Sequence, residues 1–184
     1  MEAIAHKTDV ASLLVRFEQA ARATAATVEQ IPYSAEMLAE AIAKIEPKSE
    51  RIAIAAPRDL PNELFDRCRK LPRVFTPKSK LDFASADVGV TDAFAGIAHS
   101  GSICVTVDHE YAGYLSLVTR VHIAVLSTKD IVERPGDLLR EDCLDGKGLQ
   151  RNFVFITGPS CTADMGPLVR GVHGPHRLHI IILN

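Results

Sequence analysis

Leu178-His179-Ile180-Ile181-Ile182-Leu183 is an apolar run broken by a single histidine. A strand with one face in water alternates apolar and polar residues. A strand covered on both faces carries an unbroken β-branched and aliphatic run like this one. Asn152-Phe153-Val154-Phe155-Ile156 reads the same way, and so does Val121-His122-Ile123-Ala124-Val125-Leu126. Ser102-Ile103-Cys104-Val105-Thr106-Val107 and Arg51-Ile52-Ala53-Ile54-Ala55-Ala56 are further strands, with shorter ones at Val74-Phe75 and Asp87-Val88-Gly89-Val90. Between them, Pro61–Lys70 reads as a short helix and Leu81–Ala86 as a helical turn. Apolar runs of this length alternating with helical segments predict an α/β domain with a mostly parallel sheet covered on both faces.

Upstream the period changes. Val10, Leu13, Leu14, Phe17, Ala20, Ala21, Val28 and Ile31 follow helical spacing, which predicts one helix from Val10 to Ile31, ended by Pro32. A second helix is expected over Ala35–Ile45, with Ser34 as N-cap and Pro47 as stop. These helices would form an N-terminal segment (residues 1–47) packed on a single domain spanning residues 1–184. Glu133–Arg151, rich in charge and glycine, reads as a mobile surface loop.

Composition narrows the function classes. The 184 residues carry 21 Lys+Arg against 23 Asp+Glu, which leaves no electrostatic footprint for nucleic acid or an anionic membrane. There is no Trp and the aromatic fraction is 5%, which disfavours base-stacking surfaces. Cys68, Cys104, Cys143 and Cys161 are scattered, with no CxxC pair, so neither a zinc site nor an iron–sulfur cluster is expected on this chain alone. Met1–Lys7 lacks the pattern of a signal peptide, and no run approaches about 18 apolar residues, so the expected location is the cytoplasm. GxGxxG, GxxxxGK(S/T) and GxSxG are all absent.

Three segments carry candidate chemistry. Thr157-Gly158-Pro159-Ser160-Cys161-Thr162-Ala163-Asp164 reads as a strand-to-helix turn. It either cradles a carboxylate or phosphate on its N–H groups and hydroxyls or simply caps a helix with Ser160 or Thr162. Cys161 would then lie near a helix N-terminus, where a thiolate is stabilised. His99-Ser100-Gly101-Ser102 precedes its strand, as a close backbone approach to a ligand or as a hairpin turn. His109 and Glu110 after that strand have general base and acid chemistry but equally suit a solvated loop. In the third segment Gly171 fits a helix C-cap and Gly174-Pro175 a turn, leaving His173, His176 and Arg177 as a cationic cluster. His122 and His179 sit inside strand patterns, as core histidines do. Ligands are expected at the carboxyl ends of the strands.

Thr157-Gly158-Pro159-Ser160-x-Thr162-Ala163-Asp164, then Val169-x-Gly171-Val172-His173-Gly174-Pro175 and the closing Leu178–Leu183 run, resembles the LUD-domain family. Ala98-His99-Ser100-Gly101-Ser102 and the Val121–Leu126 strand resemble two further segments of that family. The resemblance implies a three-layer α/β/α fold like that of the sugar-phosphate isomerase and CoA-transferase superfamily. It also implies an accessory role in oxidation of L-lactate to pyruvate, with iron–sulfur clusters on partner subunits and a small anionic ligand. Carried over residue by residue, it implies a functional surface of Ser100, Gly101, Ser102, His122 and Thr157. Gly158, Ser160, Thr162, Asp164, His173 and Gly174 complete it. This chain departs from the family's pattern at His99, where an acid is usual, at Cys161, where Arg is usual, and in lacking a Pro before the His122 strand. The alternatives are a free-standing enzyme on a small phosphorylated or CoA-linked substrate, and a structural module whose glycines and histidines only build turns.

Overall fold

The computed structural model describes residues 9–45, 51–83, 85–108, 111–164 and 166–184. The expectations for Met1–Lys7, Pro47, His109 and Glu110 lie outside the described residues.

The chain opens with α1 (Val10–Ala23), capped by the Asp9 carboxylate, and buries Leu13, Phe17 and Ala21 on one face. The predicted continuation to Ile31 is not helical. Ala25 adopts φ 67°, and Thr27–Ile31 form strand β1, paired in parallel with the last strand. Val28 and Ile31 stand three apart, which matches a helical face, but in a strand that spacing sends them to opposite sides. They accordingly join different halves of the core. α2 (Ala35–Ile45) follows as expected, with the Ser34 hydroxyl accepting from the Met37 N–H at 3.5 Å.

β2 (Ile52–Ile54), a 3-10 turn over Asn62–Phe65, α3 (Asp66–Arg69), β3 (Val74–Phe75), α4 (Lys80–Phe83) and β4 (Val88–Ala93) come next. Then follow β5 (Ala95–Ile97), β6 (Ser102–Thr106), α5 (Ala112–Val118), β7 (Val121–Ser127) and β8 (Ile131–Val132). The chain closes with β9 (Phe153–Ile156), a two-residue pair β10 (Cys161–Thr162) and β11 (Val169–Arg170), and β12 (Arg177–Leu183). Six strands form an all-parallel sheet in the order β1-β12-β7-β4-β2-β3. α2 and α3 pack on one face, where Ile42, Ile54, Ile123 and Ile181 are buried; α1 and α5 cover the other, around Phe17, Leu115, Ala124 and Ile180. Helices on both sides of a parallel sheet are the predicted α/β architecture.

Not every predicted strand belongs to that sheet. Ser102–Thr106 and Phe153–Ile156 pair antiparallel in a second, four-stranded sheet of order β8-β5-β6-β9. β9 is an edge strand, and Phe155 is half exposed rather than covered on both faces. The segment expected as a loop at Glu133–Arg151 is wound into a 3-10 helix at Pro135–Leu139 and 3-10 turns within Leu144–Gln150, kinked at Asp145-Gly146, and buries Leu138 against the second sheet. It is fixed at its end by Arg151, whose Nη1 donates to both carboxylate oxygens of Asp59 at 2.8 and 2.7 Å. Both side chains are 7% exposed.

Candidate functional site

At the carboxyl ends of β2 and β4, where sequence reasoning places ligands, the chain closes on itself. Asp92 Oδ2 accepts from the backbone N–H groups of Arg58, Asp59 and Leu60 at 2.9, 2.7 and 3.2 Å. Farther along that edge, a broad depression of about 620 Å³ lies at the ends of β1, β7 and β12, mostly apolar and bounded by Tyr33 and Lys129.

The polar groups converge at the opposite end of the sheet. A cavity of about 350 Å³ opens at the amino ends of β7 and β12, where His122 and Leu178 are register partners. The cause of this location is β9. That strand enters near the carboxyl ends, where Arg151 meets Asp59, and its exit, Thr157–Ser160, lines the cavity beside His122 and Leu178. The floor is His122, fully buried. Its Nε2 shares a 2.9 Å hydrogen bond with the Thr91 hydroxyl, and its Nδ1 has no partner. Desolvation pushes its pKa from 6.5 down to about 3, so the ring is neutral at pH 7.

Of the eleven predicted residues, six line this cavity: His122, Thr157, Gly158, Ser160, His173 and Gly174. Ser100 and Ser102 reach it only through a hydroxyl chain. Ser100 Oγ bonds Ser102 Oγ at 2.6 Å, and Ser102 Oγ bonds Thr157 Oγ1 at 2.7 Å. Thr162 and Asp164 are not in the lining; the Thr162 hydroxyl accepts the Asp164 N–H at 3.2 Å in a local turn. Gly101 is not in the lining either. It takes φ +68°, and a Cβ there would lie 2.1 Å from the backbone nitrogen of Ala21. Gly158 is alike, with φ +68° and a Cβ 2.1 Å from the Thr24 carbonyl. Both glycines let their turns close on the end of α1.

No helix follows the Gly-Pro-Ser turn. Cys161–Thr162 pair antiparallel with Val169–Arg170, so Thr162 and Ser160 cap nothing, Cys161 has no helix N-terminus beside it, and Gly171 ends a strand. Pro159 has no N–H, the Ser160 N–H bonds the Pro175 carbonyl at 3.0 Å, and the Gly171 N–H bonds the Ser160 carbonyl at 2.8 Å. The Ser160 N–H is therefore not available to an anion at this turn. Nor do His173, His176 and Arg177 gather at the cavity: only His173 lines it, while the His176 ring lies over Gly171. Sequence reasoning missed Leu117 and Phe155, which form the outer wall, and Thr91, which orients His122. None stands in a pattern distinguishable from ordinary core or surface.

The thiols follow burial. Desolvation raises Cys68 to about 11 and Cys104 to about 12, and Cys143 is also raised; Cys161 alone is exposed, on the cavity wall. Among the described residues, no group of three His, Cys, Asp or Glu side chains is placed to hold a metal ion. No described helix is long and apolar enough to cross a membrane.

The LUD-domain family model matches residues 16–183, nearly the whole described fold. The chain belongs to the LUD-domain family. Among curated LUD-domain relatives, lactate utilization protein C of Bacillus velezensis is 32% identical over 103 residues, covering 54% of this chain and 43% of that protein. Its Bacillus subtilis counterpart is 31% identical over 103 residues, covering 54% and 43%. An uncharacterized protein of Neisseria meningitidis serogroup B is 32% identical over 102 residues, covering 55% and 44%. The match spans less than half the length of these relatives. The crystal structure of a DUF162 family protein from Deinococcus radiodurans superposes with TM-score 0.71 at 23% identity, over 96% of this chain and 99% of that one, and so shares this LUD-domain fold.

Proposed function

We propose that this LUD-domain chain acts in lactate utilization, as a cytoplasmic accessory subunit in oxidation of L-lactate to pyruvate. The observation that carries this reading is the family match over residues 16–183, together with relatives bearing the name lactate utilization protein C. Removing two electrons from a hydroxy acid requires a redox centre. The four cysteines are scattered, two of them fully buried, and no three of them gather among the described residues, which supports placing the iron–sulfur clusters on partner subunits. The alternative of a phosphorylated or CoA-linked substrate finds no Lys or Arg among the described residues that line the cavity. Deleting the gene is expected to abolish growth on L-lactate but not on pyruvate, and affinity capture from lactate-grown cells is expected to recover Cys-rich iron–sulfur proteins. Unimpaired growth on lactate would overturn the reading.

A further inference from the structure

A buried polar atom without a partner is rare, because it forfeits its hydrogen bond to water and gains none in return. His122 Nδ1 is such an atom, in a residue that lines the cavity. The cavity it lines is walled by the carbon of Leu117, Phe155, Ile156 and Leu178, and by Thr157, Ser160 and the exposed His173. Among the described residues the lining contains no Asp, Glu, Lys or Arg. An ionised acid entering this space gives up its hydration and meets no Lys or Arg there. A hydroxyl group suits it in either tautomer. It donates to Nδ1 when Nε2–H bonds Thr91, and it accepts from Nδ1–H when the Thr91 hydroxyl donates to Nε2.

We propose that the cavity binds a small uncharged alcohol or phenol whose hydroxyl is hydrogen-bonded by Nδ1 of His122 and whose apolar body lies between Leu117, Phe155 and Leu178. The volume, about 350 Å³, stands at the lower end of small-molecule sites, roughly 300–1,000 Å³. This ligand class differs from the small anion implied by family resemblance and goes beyond the lactate reading, since it concerns what occupies the cavity in the isolated chain.

The test uses the purified full chain and shape-matched probes: benzyl alcohol against benzoate, lactamide against L-lactate, and inorganic phosphate. Cys161, the exposed thiol on the cavity wall, reports occupancy through its rate of alkylation by iodoacetamide. Benzyl alcohol is expected to protect Cys161 at concentrations about tenfold below those benzoate needs, to shift the ring-nitrogen resonances of His122, and to lose about tenfold in affinity in His122→Phe. Lactamide is expected to outcompete lactate, and phosphate to give no protection. Equal or better protection by benzoate, lactate or phosphate overturns the proposal, as does failure of both uncharged probes. The alcohol-to-acid ratio on the wild-type chain carries the test even where His122→Phe does not fold.

Discussion

Replacing Gly101 or Gly158 by alanine tests whether the two glycine turns are docking points for α1. Each residue has φ +68°, where a side chain with a Cβ loses about 1–2 kcal/mol. Each new Cβ would also fall 2.1 Å from helix-end backbone, at Ala21 N for residue 101 and at Thr24 O for residue 158. Real Cβ atoms essentially never approach closer than 3.0 Å, so α1 must retreat by about 1 Å, and with it the buried Phe17. Overpacking of this kind costs about 1–3 kcal/mol. The sum is about 2–5 kcal/mol per substitution, a large part of the roughly 5–15 kcal/mol that holds a domain folded. Gly136, where an added methyl group would meet nothing within 4 Å, serves as control and is expected to stay within about 1 kcal/mol of wild type. Urea denaturation followed by circular dichroism reads all three variants. If Gly101→Ala and Gly158→Ala each cost less than about 1 kcal/mol, the packing argument is wrong and a ligand contact becomes the better account of these glycines.

Stability is expected to fall with acid. Burial lowers His122 to about 3 and His179 to about 4, so below about pH 6.5 the unfolded chain takes up protons that the folded chain refuses. Each histidine contributes a slope of about 1.4 kcal/mol per pH unit until its folded pKa is reached, while Asp92 and Asp130, raised by burial, offset part of this just above pH 3.8. Urea midpoints at pH 7 and pH 5 check it, and His179→Gln is expected to halve the slope; a flat profile refutes it. Asp59→Asn leaves Arg151 buried without its carboxylate and is expected to cost about 3–5 kcal/mol by the same denaturation assay, with Asp59→Leu/Arg151→Met regaining most of it. Under native conditions iodoacetamide is expected to modify Cys161 first and Cys68 and Cys104 only on unfolding, as mass mapping of the labelled peptides will show.

What the sequence makes legible is whatever depends on burial along one element. Leu178–Leu183 and Val121–Leu126 read as strands covered on both faces because the central strands β12 and β7 are. Ala35–Ile45 reads as a helix because its apolar period is 3.6 and Ser34 caps it. Thr27–Ile31 misleads because a three-residue spacing is common to a helical face and to a strand buried on both sides, and only the open edge of β12 decides between them. Phe153–Ile156 has the same apolar density as a central strand yet lies at an edge, where Phe155 keeps its ring half exposed and stacks edge-on with Phe153 at 5.3 Å. Edge and centre are properties of the sheet, and no single segment encodes them.

The site shows the same division. The Ser-Gly-Ser and Thr-Gly-Pro-Ser motifs read as two separate ligand turns, because glycine beside hydroxyls suits a close approach to something. In the structure that something is α1, and the hydroxyls of Ser100, Ser102 and Thr157 join the two turns to each other. What remains for a ligand is the space between the second turn and the start of β7, and its chemistry is set by a residue that strand periodicity marks as core. His122 is both: Nε2 is satisfied within the sheet by Thr91, and Nδ1 is left for whatever enters. A histidine held neutral and walled by aliphatic and aromatic carbon selects against charge more strongly than it selects for any one shape.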